Sequence, residues 1–256
     1  MFEAMMIAAT GVQNQQRRLD TIANNVANVN SAAYKSARLD FKDALYTAGI
    51  VPGPPRTPSP EGNQQKGHGV MVTGITKNYA TGNHYRTDRH LDVAIEGEGF
   101  FEVRDPNGDL YYTRNGSFHV DDAGFLVDNA GYYVLDTEGN NIWVPNGTES
   151  ISIGTDGRIS FVFSDYAVTA NLGIYTFRNL TGLLSAGNGN YAESPASGER
   201  WPAGNAVIRQ GMLEGSNVDL AEEMTRLIRT QRAFQLASRA LTTADDMEGI
   251  ANNMRR

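Results

Sequence analysis

The sequence contains no cysteine among its 256 residues. This absence excludes a disulfide scaffold, cysteine-ligated zinc, iron–sulfur chemistry and a thiol nucleophile. It leaves the cellular compartment open, because an exported protein can also do without cysteine. The sequence also lacks any run of about 18 apolar residues, so no membrane-spanning helix is predicted.

Basic residues are outnumbered by acidic ones. There are 22 lysine and arginine side chains against 29 aspartate and glutamate side chains, and the formal net charge is −7. A nucleic-acid-binding protein needs a concentrated basic face, so nucleic acid is not an expected partner. A cleavable export signal is not recognised either, since Glu3 stands where a basic region would lie and no small-residue cleavage site follows. We therefore expect a protein that is cytosolic or exported by a route that removes nothing.

Glycine and proline are scarce at both ends of the chain and frequent in its middle. All nine prolines lie between Pro52 and Pro202. Of the 27 glycines, only one precedes residue 47 and only one follows residue 215. Because both residue types interrupt helices, the two ends are predicted to be helical and the middle to be rich in turns.

Both ends carry apolar residues at seven-residue spacing, which is the pattern of a coiled-coil seam. Helices are predicted at roughly residues 3–30 and 218–252. Each helix could pack separately on the middle of the chain, or the two could pair within or between chains. A repeat of about 3.5 rather than 3.6 residues per turn favours pairing. The seam residues are Met5, Val12, Leu19, Ile22 and Val26 in the first helix and Leu220, Leu227, Phe234 and Leu241 in the second.

Asparagine is concentrated near the end of the first predicted helix, at Asn24, Asn25, Asn28 and Asn30. Asparagine is a poor helix former that prefers caps and turns, so this cluster needs an explanation. One interpretation is a fraying helix end, where asparagine is tolerated. The favoured interpretation places Asn24, Asn25 and Asn28 beside the seam, where their amides would exchange hydrogen bonds with neighbouring helices.

Residues 47–69 are rich in proline and glycine, and the prolines favour an extended backbone. This segment fits a disordered linker and an extended arm that orders against a neighbouring molecule equally well.

From Val70 to about Phe177, short apolar runs alternate with turn sequences every 8–12 residues. This spacing predicts β-hairpins in a sandwich or barrel. The predicted turns include Pro106–Gly108, Asn115-Gly116, Asp122–Gly124, Glu138–Asn140 and Asp156-Gly157.

The fold class predicted from these patterns is α+β, with long terminal coiled-coil helices joined to a mainly-β middle domain. The predicted divisions are an N-terminal helical segment (1–46), an extended arm (47–69), a β-rich middle domain (70–215) and a C-terminal helical segment (216–256).

Residues suited to catalysis or metal binding are few. His84, Asp88, His90 and Asp92 form the only close group of potential ligands, and they flank an expected strand start, where solvated polar residues are ordinary. No acid pair, nucleophile with a base, or phosphate-binding loop is recognisable. We therefore predict no catalytic, cofactor or metal site, and no enzymatic activity.

Several motifs together resemble the axial proteins of the bacterial flagellum, specifically the rod proteins of the basal body. The resemblance covers nearly the whole chain in the right order. The motifs are Ala23–Asn28 near the start, Leu91–Phe101 and Tyr112–Phe118 in the middle, and Gln210–Val218 and Gln231–Phe234 near the end.

The resemblance implies a structural subunit that self-assembles into a helical tubular drive shaft, which transmits torque from the motor to the hook. It implies that the seam residues and the three asparagines form a self-assembly interface in an inner tube, with the β domain outside. The implied partners are copies of this chain, other rod and hook proteins, and the flagellar type III export apparatus. That apparatus would carry the chain across the inner membrane to the basal body without signal cleavage. The insert at 47–69 favours a distal rod position, while a proximal or rod–hook junction position stays open.

Two other classes of protein fit parts of the sequence. The first is a β-domain hydrolase or carbohydrate-binding module with helical oligomerisation ends, which would need a convergent polar site within residues 70–215. The second is a coiled-coil adaptor with a β binding module, folded as an ordinary soluble dimer. Terminal helices that order only on assembly would distinguish the rod protein from the adaptor.

Overall fold

The computed structural model describes residues 2–43, 46–48, 65–67, 69–145, 147–163 and 167–254. Two long helices, α1 (Phe2–Ala27) and α2 (Leu220–Asn253), flank a series of short strands. The predicted α+β class is confirmed. The predicted helix at 3–30 ends earlier, at Ala27, because Asn28 and Ser31 form a turn in which the Ser31 amide donates to the Asn28 carbonyl (3.1 Å).

The described residues between the helices form twenty strands and one short 3-10 helix, at Leu180–Gly182. The strands are β1 (Ala37–Asp43), β2 (Tyr46–Ala48), β3 (Gln65–Gly67), β4 (Val70–Lys77), β5 (His84–Arg86), β6 (Val93–Glu96), β7 (Phe100–Arg104), β8 (Leu110–Thr113), β9 (Phe118–Val120), β10 (Leu126–Asp128), β11 (Tyr133–Val134), β12 (Ser150–Ile153), β13 (Arg158–Val162), β14 (Ala167–Asn171), β15 (Ile174–Phe177), β16 (Leu184–Gly187), β17 (Asn190–Ala192), β18 (Arg200–Pro202), β19 (Val207–Gln210) and β20 (Met212–Glu214).

The chain divides into two compact units whose limits differ from the predicted boundaries. The helical unit comprises the described parts of Met1–Ala27, Ala37–Thr76 and Asp219–Arg256. The β unit comprises Asn28–Ser36 and Lys77–Val218. The segment from 28 to 36 was expected in the N-terminal helical division, but backbone hydrogen bonds such as Ala33 N–H to Glu214 O (2.8 Å) tie it to β20.

In the helical unit, α1 packs against α2 and contacts β1. Strand β1 pairs with β4, and β2 pairs antiparallel with β3. Of the predicted arm at 47–69, residues 49–64 and 68 lie outside the described residues, so its interpretation stays a prediction.

In the β unit, nine strands form one sheet in which β7 is central. The main path runs β16-β17-β8-β7-β11-β10-β9, and β15 pairs with both β7 and β18. Smaller sheets are β12-β13-β14, β19-β6 and β20-β5. The predicted β character of the middle region is confirmed.

Most of the predicted hairpin turns are correct, but one is wrong. Pro106–Gly108 joins β7 to β8, Asp122–Gly124 joins β9 to β10, and Asp156-Gly157 joins β12 to β13, each pair being antiparallel. Asn115-Gly116 does not close a hairpin, because β8 pairs with β7 and β17 whereas β9 pairs with β10.

The sheet around β7 is covered on both faces, so successive side chains of β7 enter different cores. Phe101 and Val103 lie in the larger core, together with Ile95 and Phe118. Phe100 lies in a smaller aromatic core, where its ring meets Tyr191 edge to face at a centroid distance of 5.7 Å. Burying one such aromatic side chain stabilises the fold by roughly 1.5–3 kcal/mol.

Candidate assembly surface

The predicted seam lies between α1 and α2 of the same chain. Thr21 and Ile22, near the end of α1, line one groove with Glu223 and Arg226, near the start of α2, so the two helices run antiparallel. Ile22 is buried. Seven of the other seam residues are half-buried: Met5, Val12, Leu19, Val26, Leu227, Phe234 and Leu241.

Leu220 differs from the rest of the seam, because 45% of it is exposed. The predicted pairing of the two ends therefore occurs within one chain. Assembly of several chains through the same residues stays a prediction.

Buried polar side chains anchor the seam at defined positions. The Asn14 amide donates to the Val70 carbonyl at 2.6 Å and so joins α1 to β4. Glu223 is buried, and its Oε1 accepts from Arg226 Nη1 at 3.0 Å. At the start of α2, Asp219 Oδ1 accepts from the backbone amides of Ala221 (2.8 Å) and Glu222 (3.1 Å), so Asp219 caps the helix.

The Asn25 side chain makes hydrogen bonds within one chain, and its bonding to neighbouring helices stays a prediction. The Asn25 side chain is 1% exposed and holds both backbone groups of Ala37. Its Nδ2 donates to the Ala37 carbonyl at 2.9 Å, and its Oδ1 accepts from the Ala37 amide at 2.9 Å. Asn25 thus fixes the start of β1 against α1 within one chain. Asn24 is exposed, and Asn28 Oδ1 accepts from Ser31 Oγ at 3.1 Å.

Replacing Asn25 with alanine is expected to lower the free energy of unfolding by about 2 kcal/mol, because both backbone groups of the half-buried Ala37 lose their side-chain partner. Gln13→Ala, at an exposed position of the same helix, serves as the control and is expected to change it by less than about 0.5 kcal/mol. Urea denaturation of both variants measures the difference. Equal stabilities would show that the Ala37 contact contributes nothing.

The outward surface of α2 carries apolar side chains that the heptad analysis did not identify. The largest exposed fractions are those of Leu236 (66%), Ile250 (59%) and Met254 (78%). At about 100° per residue, Leu236 and Ile250 project from the side of α2 away from the half-buried seam residue Phe234. This exposed apolar series is therefore a candidate surface for protein interaction.

This second apolar series has a weak sequence signal. Met224 and Ile228 are four residues apart, and Met247, Ile250 and Met254 follow the i, i+3, i+7 pattern. The seven-residue repeat is stronger and already predicts the helix. The second pattern is therefore easily overlooked in the sequence.

In the β unit, three buried charged side chains meet. Glu214 Oε1 lies 2.6 Å from Lys35 Nζ, and Glu214 Oε2 lies 3.1 Å from Arg114 Nη1. The side chains of Lys35 and Glu214 are 0% exposed, and that of Arg114 is 4% exposed. Burial lowers the pKa of Lys35, and the charge of Glu214 opposes this shift.

Backbone groups complete this ion cluster of Lys35, Arg114 and Glu214. The Gly82 amide donates to Glu214 Oε1 at 2.8 Å, and Lys35 Nζ donates to the Ala80 carbonyl at 2.8 Å. Arg114 donates to the carbonyls of Gly99 (2.9 Å) and Gly97. The charges are paired with one another and hydrogen-bonded to the backbone. The cluster therefore has a structural role, because it links separate segments of the β unit.

The predicted absence of a metal site concerned His84, Asp88, His90 and Asp92. His84 Nε2 lies 3.2 Å from the Ile95 carbonyl, and Asp92 faces Arg89 at 3.6 Å. Over the described ranges, no group of three or more histidine, aspartate and glutamate side chains is placed to hold a metal ion. In the same part of the chain, neither helix is long and apolar enough to cross a membrane.

Three family models match separate parts of the chain. They are "Flagella basal body rod protein" at residues 5–35, "Flagellar hook protein FlgE/F/G D1 domain" at 94–161 and "Flagellar basal body rod FlgEFG protein C-terminal" at 209–254. The chain is also 38% identical to the flagellar basal-body rod protein FlgG of Borreliella burgdorferi, over 100% of both chains. It belongs to the flagellar basal-body rod protein family.

Further relatives agree with this membership. The chain is 36% identical to FlgG of Bacillus subtilis over 100% of both chains. It is 36% identical to FlgG of Agrobacterium fabrum, over 97% of this chain and 98% of that protein. The resemblance recognised in the sequence motifs is therefore confirmed.

The rod family segments converge on the ion cluster. Lys35 lies in the segment at 5–35, Arg114 in the segment at 94–161, and Glu214 in the segment at 209–254. Although widely separated in sequence, the three segments are joined in the β unit by this one set of charges.

Proposed function

We propose that this structural subunit of the flagellar basal-body rod assembles with copies of itself into a helical tube. The observation that carries the proposal is the exposed apolar series on α2, in a chain whose seam is already formed internally. Because the seam needs no second chain, the outward surface of α2 is available for one. A contact between unlike surfaces does not close on itself and generates a helical filament.

The proposed tube transmits torque from the motor to the hook, and such a shaft needs connections that resist deformation. Residues 28–36 follow α1 directly in the chain and are held in the β unit by the ion cluster. A load on α1 would therefore enter a segment fixed by buried charge and backbone bonds. Assembly with other rod and hook proteins follows from family membership.

The finer assignments are part of the same proposal. A distal rod position is supported by the name FlgG of the relatives at 38% and 36% identity and by the insert at 47–69. Passage through the flagellar type III export apparatus without signal cleavage rests on the family resemblance. We also propose a role in self-assembly for the seam residues and for Asn24, Asn25 and Asn28, because these residues shape the helical unit.

Assembly can be tested with the purified full-length chain by sedimentation and electron microscopy over a range of concentrations. We expect helical polymers above a critical concentration. A double substitution, Leu236→Gln with Ile250→Gln, is expected to raise that concentration about tenfold or more, since two exposed apolar side chains lose their burial in the polymer.

The matched control is Val162→Gln with Val168→Gln, which replaces two exposed apolar side chains of the β unit (36% and 40% exposed). We expect this control to polymerise like the unaltered chain. A chain that stays monomeric at every concentration would contradict the proposed function, and so would one that forms only closed dimers.

A further inference from the structure

The C-terminal end of α2 extends beyond the start of α1. In an antiparallel pair of helices, residues at the same level have numbers with a constant sum, and the groove shared by Ile22 and Glu223 fixes that sum. Phe2, the first residue of α1, is therefore level with a residue just before Ala244. Burial agrees, because Ala244 is half-buried whereas every residue from Asp245 to Ile250 is exposed. Residues 245–254, the projecting end of α2, thus have no part of α1 beside them.

The projecting end of α2 is amphipathic and acidic. Met247, Ile250 and Met254 are 53%, 59% and 78% exposed, and their i, i+3, i+7 spacing is that of a helix that binds in a groove. Asp246 precedes Ile250 by four residues and lies beside it on the helix surface. Two further acidic residues and no basic residue occur in this segment.

A groove between α1 and the strands β1 and β4 has the complementary chemistry. Its volume is about 480 Å³. Phe41 and Val70 supply apolar lining, and Gly11 leaves space because it has no side chain. Arg18 and Lys42 are exposed cations of the same lining, and among the described residues neither has an ion-pair partner. The Arg18 guanidinium lies 6.0 Å from the centre of the Phe41 ring.

We propose that the projecting end of α2 of one copy binds in this groove of the next copy. Ile250 and Met254 then cover the apolar lining, and Asp246 meets Lys42. Apolar contact and opposite charge coincide at one site, and the volume is within the usual range for a binding pocket. The inference rests on the proposed function and names the two surfaces through which successive copies join.

The two surfaces lie far enough apart for one copy to use both. The α1 side of the groove runs from Gly11 to Arg18, and Gly11 is level with the region of Phe234 in α2. Ile250 lies about 24 Å farther along the helix axis, at about 1.5 Å per residue. The projecting end therefore does not reach the groove of its own chain, and a copy bound in that groove leaves the projecting end free. Because the surfaces are unlike, growth continues at both ends of the assembly.

Another groove, in the β unit, also carries arginine side chains but suits an acidic segment less well. Each of its arginines already faces a carboxylate: Arg86 faces Asp88, Arg89 faces Asp92 and Arg209 faces Glu96. An incoming acidic side chain would compete with these pairs. At Arg18 and Lys42 it would compensate charges that have no partner.

Charge exchange tests the inference in the full-length chain. Lys42→Glu sets acid against acid at every contact, and Asp246→Lys sets base against base. We expect each single variant to raise the critical concentration for polymerisation about tenfold. A mixture of the two variants is expected to co-polymerise, because each groove then finds an end of opposite charge. The double variant is expected to return to within about threefold of the unaltered chain.

The controls for net charge are exposed positions of the β unit. Arg158→Glu matches Lys42→Glu, and Glu98→Lys matches Asp246→Lys. We expect both to polymerise like the unaltered chain. Circular dichroism of each variant checks that the helices are retained.

Disulfide cross-linking tests the contact directly, since the chain has no cysteine of its own. Oxidation of assembled Val70→Cys with Ile250→Cys is expected to give a ladder of covalent multimers, because each copy is linked to the copy before it and the copy after it. Each single cysteine variant is expected to give no ladder. Val168→Cys with Ile250→Cys is the matched control, since Val168 is an exposed residue of the β unit (40% exposed).

The possible failures of the two proposals are distinguishable. If the unaltered chain polymerises but the charge variants do so equally well and no ladder forms, binding in the groove is wrong and rod self-assembly stands. If Ile250→Cys alone gives dimers as efficiently as the double cysteine variant, the projecting ends pair with each other and the inference is overturned. If the unaltered chain does not polymerise at any concentration, both proposals are overturned.

Discussion

Replacing Glu214 with glutamine is expected to destabilise the protein by about 3–5 kcal/mol, because it removes the carboxylate that the buried cations Lys35 and Arg114 share. The substitution keeps the shape of the side chain, so the loss reports charge rather than a cavity. Lys35 Nζ lies 2.6 Å and Arg114 Nη1 lies 3.1 Å from the Glu214 carboxylate oxygens, and the glutamine amide would compensate neither charge. Guanidinium denaturation of the full-length chain, monitored by the circular dichroism signal of β-sheet, measures the change in the free energy of unfolding.

Glu96→Gln is the matched control, since it breaks an ion pair of similar length at the surface. Glu96 Oε2 lies 2.9 Å from Arg209 Nε, and the two side chains are 54% and 52% exposed. Water solvates both groups when the pair is broken, so we expect a loss below about 1 kcal/mol. Equal losses for the two variants would show that burial of the ion cluster has no energetic consequence.

Replacing Gly116 with alanine is expected to destabilise the β unit by at least about 3 kcal/mol, through steric conflict with the backbone. A Cβ atom at this position would lie 1.8 Å from the Val93 carbonyl oxygen and 3.2 Å from Phe101 Cε2. The Gly116 carbonyl also accepts from the Val93 amide at 3.0 Å, so movement of one segment breaks a bond to the other. Thermal denaturation compared with the unaltered chain gives the measurement.

Gly204→Ala is the control for this substitution. No atom lies within 4 Å of a Cβ built on Gly204, and its backbone is not in the left-handed region. We expect a change within about 1 kcal/mol, and a small gain in stability is possible because alanine restricts the unfolded chain. If Gly116→Ala is no more destabilising than Gly204→Ala, the close approach of Val93 and Gly116 is not a constraint on the fold.

The asparagine cluster shows where local pattern and tertiary contact diverge. Its composition indicates polar side chains with a hydrogen-bonding role beside the seam. A side-chain amide can bond equally well to another helix or to backbone, and the sequence does not distinguish these partners. The turn after α1 brings the backbone of Ala37 to Asn25, and this backbone is the partner that the tertiary structure provides.

Asn115-Gly116 illustrates the same limit for a turn signal. The dipeptide is the strongest short-range indication of a hairpin, and the interpretation fails because β8 finds its partners in β7 and β17. Glycine is required at residue 116 for space beside Val93, which depends on a strand about twenty residues earlier in the chain.

The sequence by itself determined the helices, the β character of the middle, most of the turns and the family. These features arise from interactions between residues close in sequence, or from motifs that stand in a fixed order. Only the tertiary structure decided which face of α2 stays open, which backbone Asn25 holds, and that Lys35, Arg114 and Glu214 form one ion cluster. Those contacts join groups that no local period relates, and burial, which makes them strong, exists only once the chain has folded.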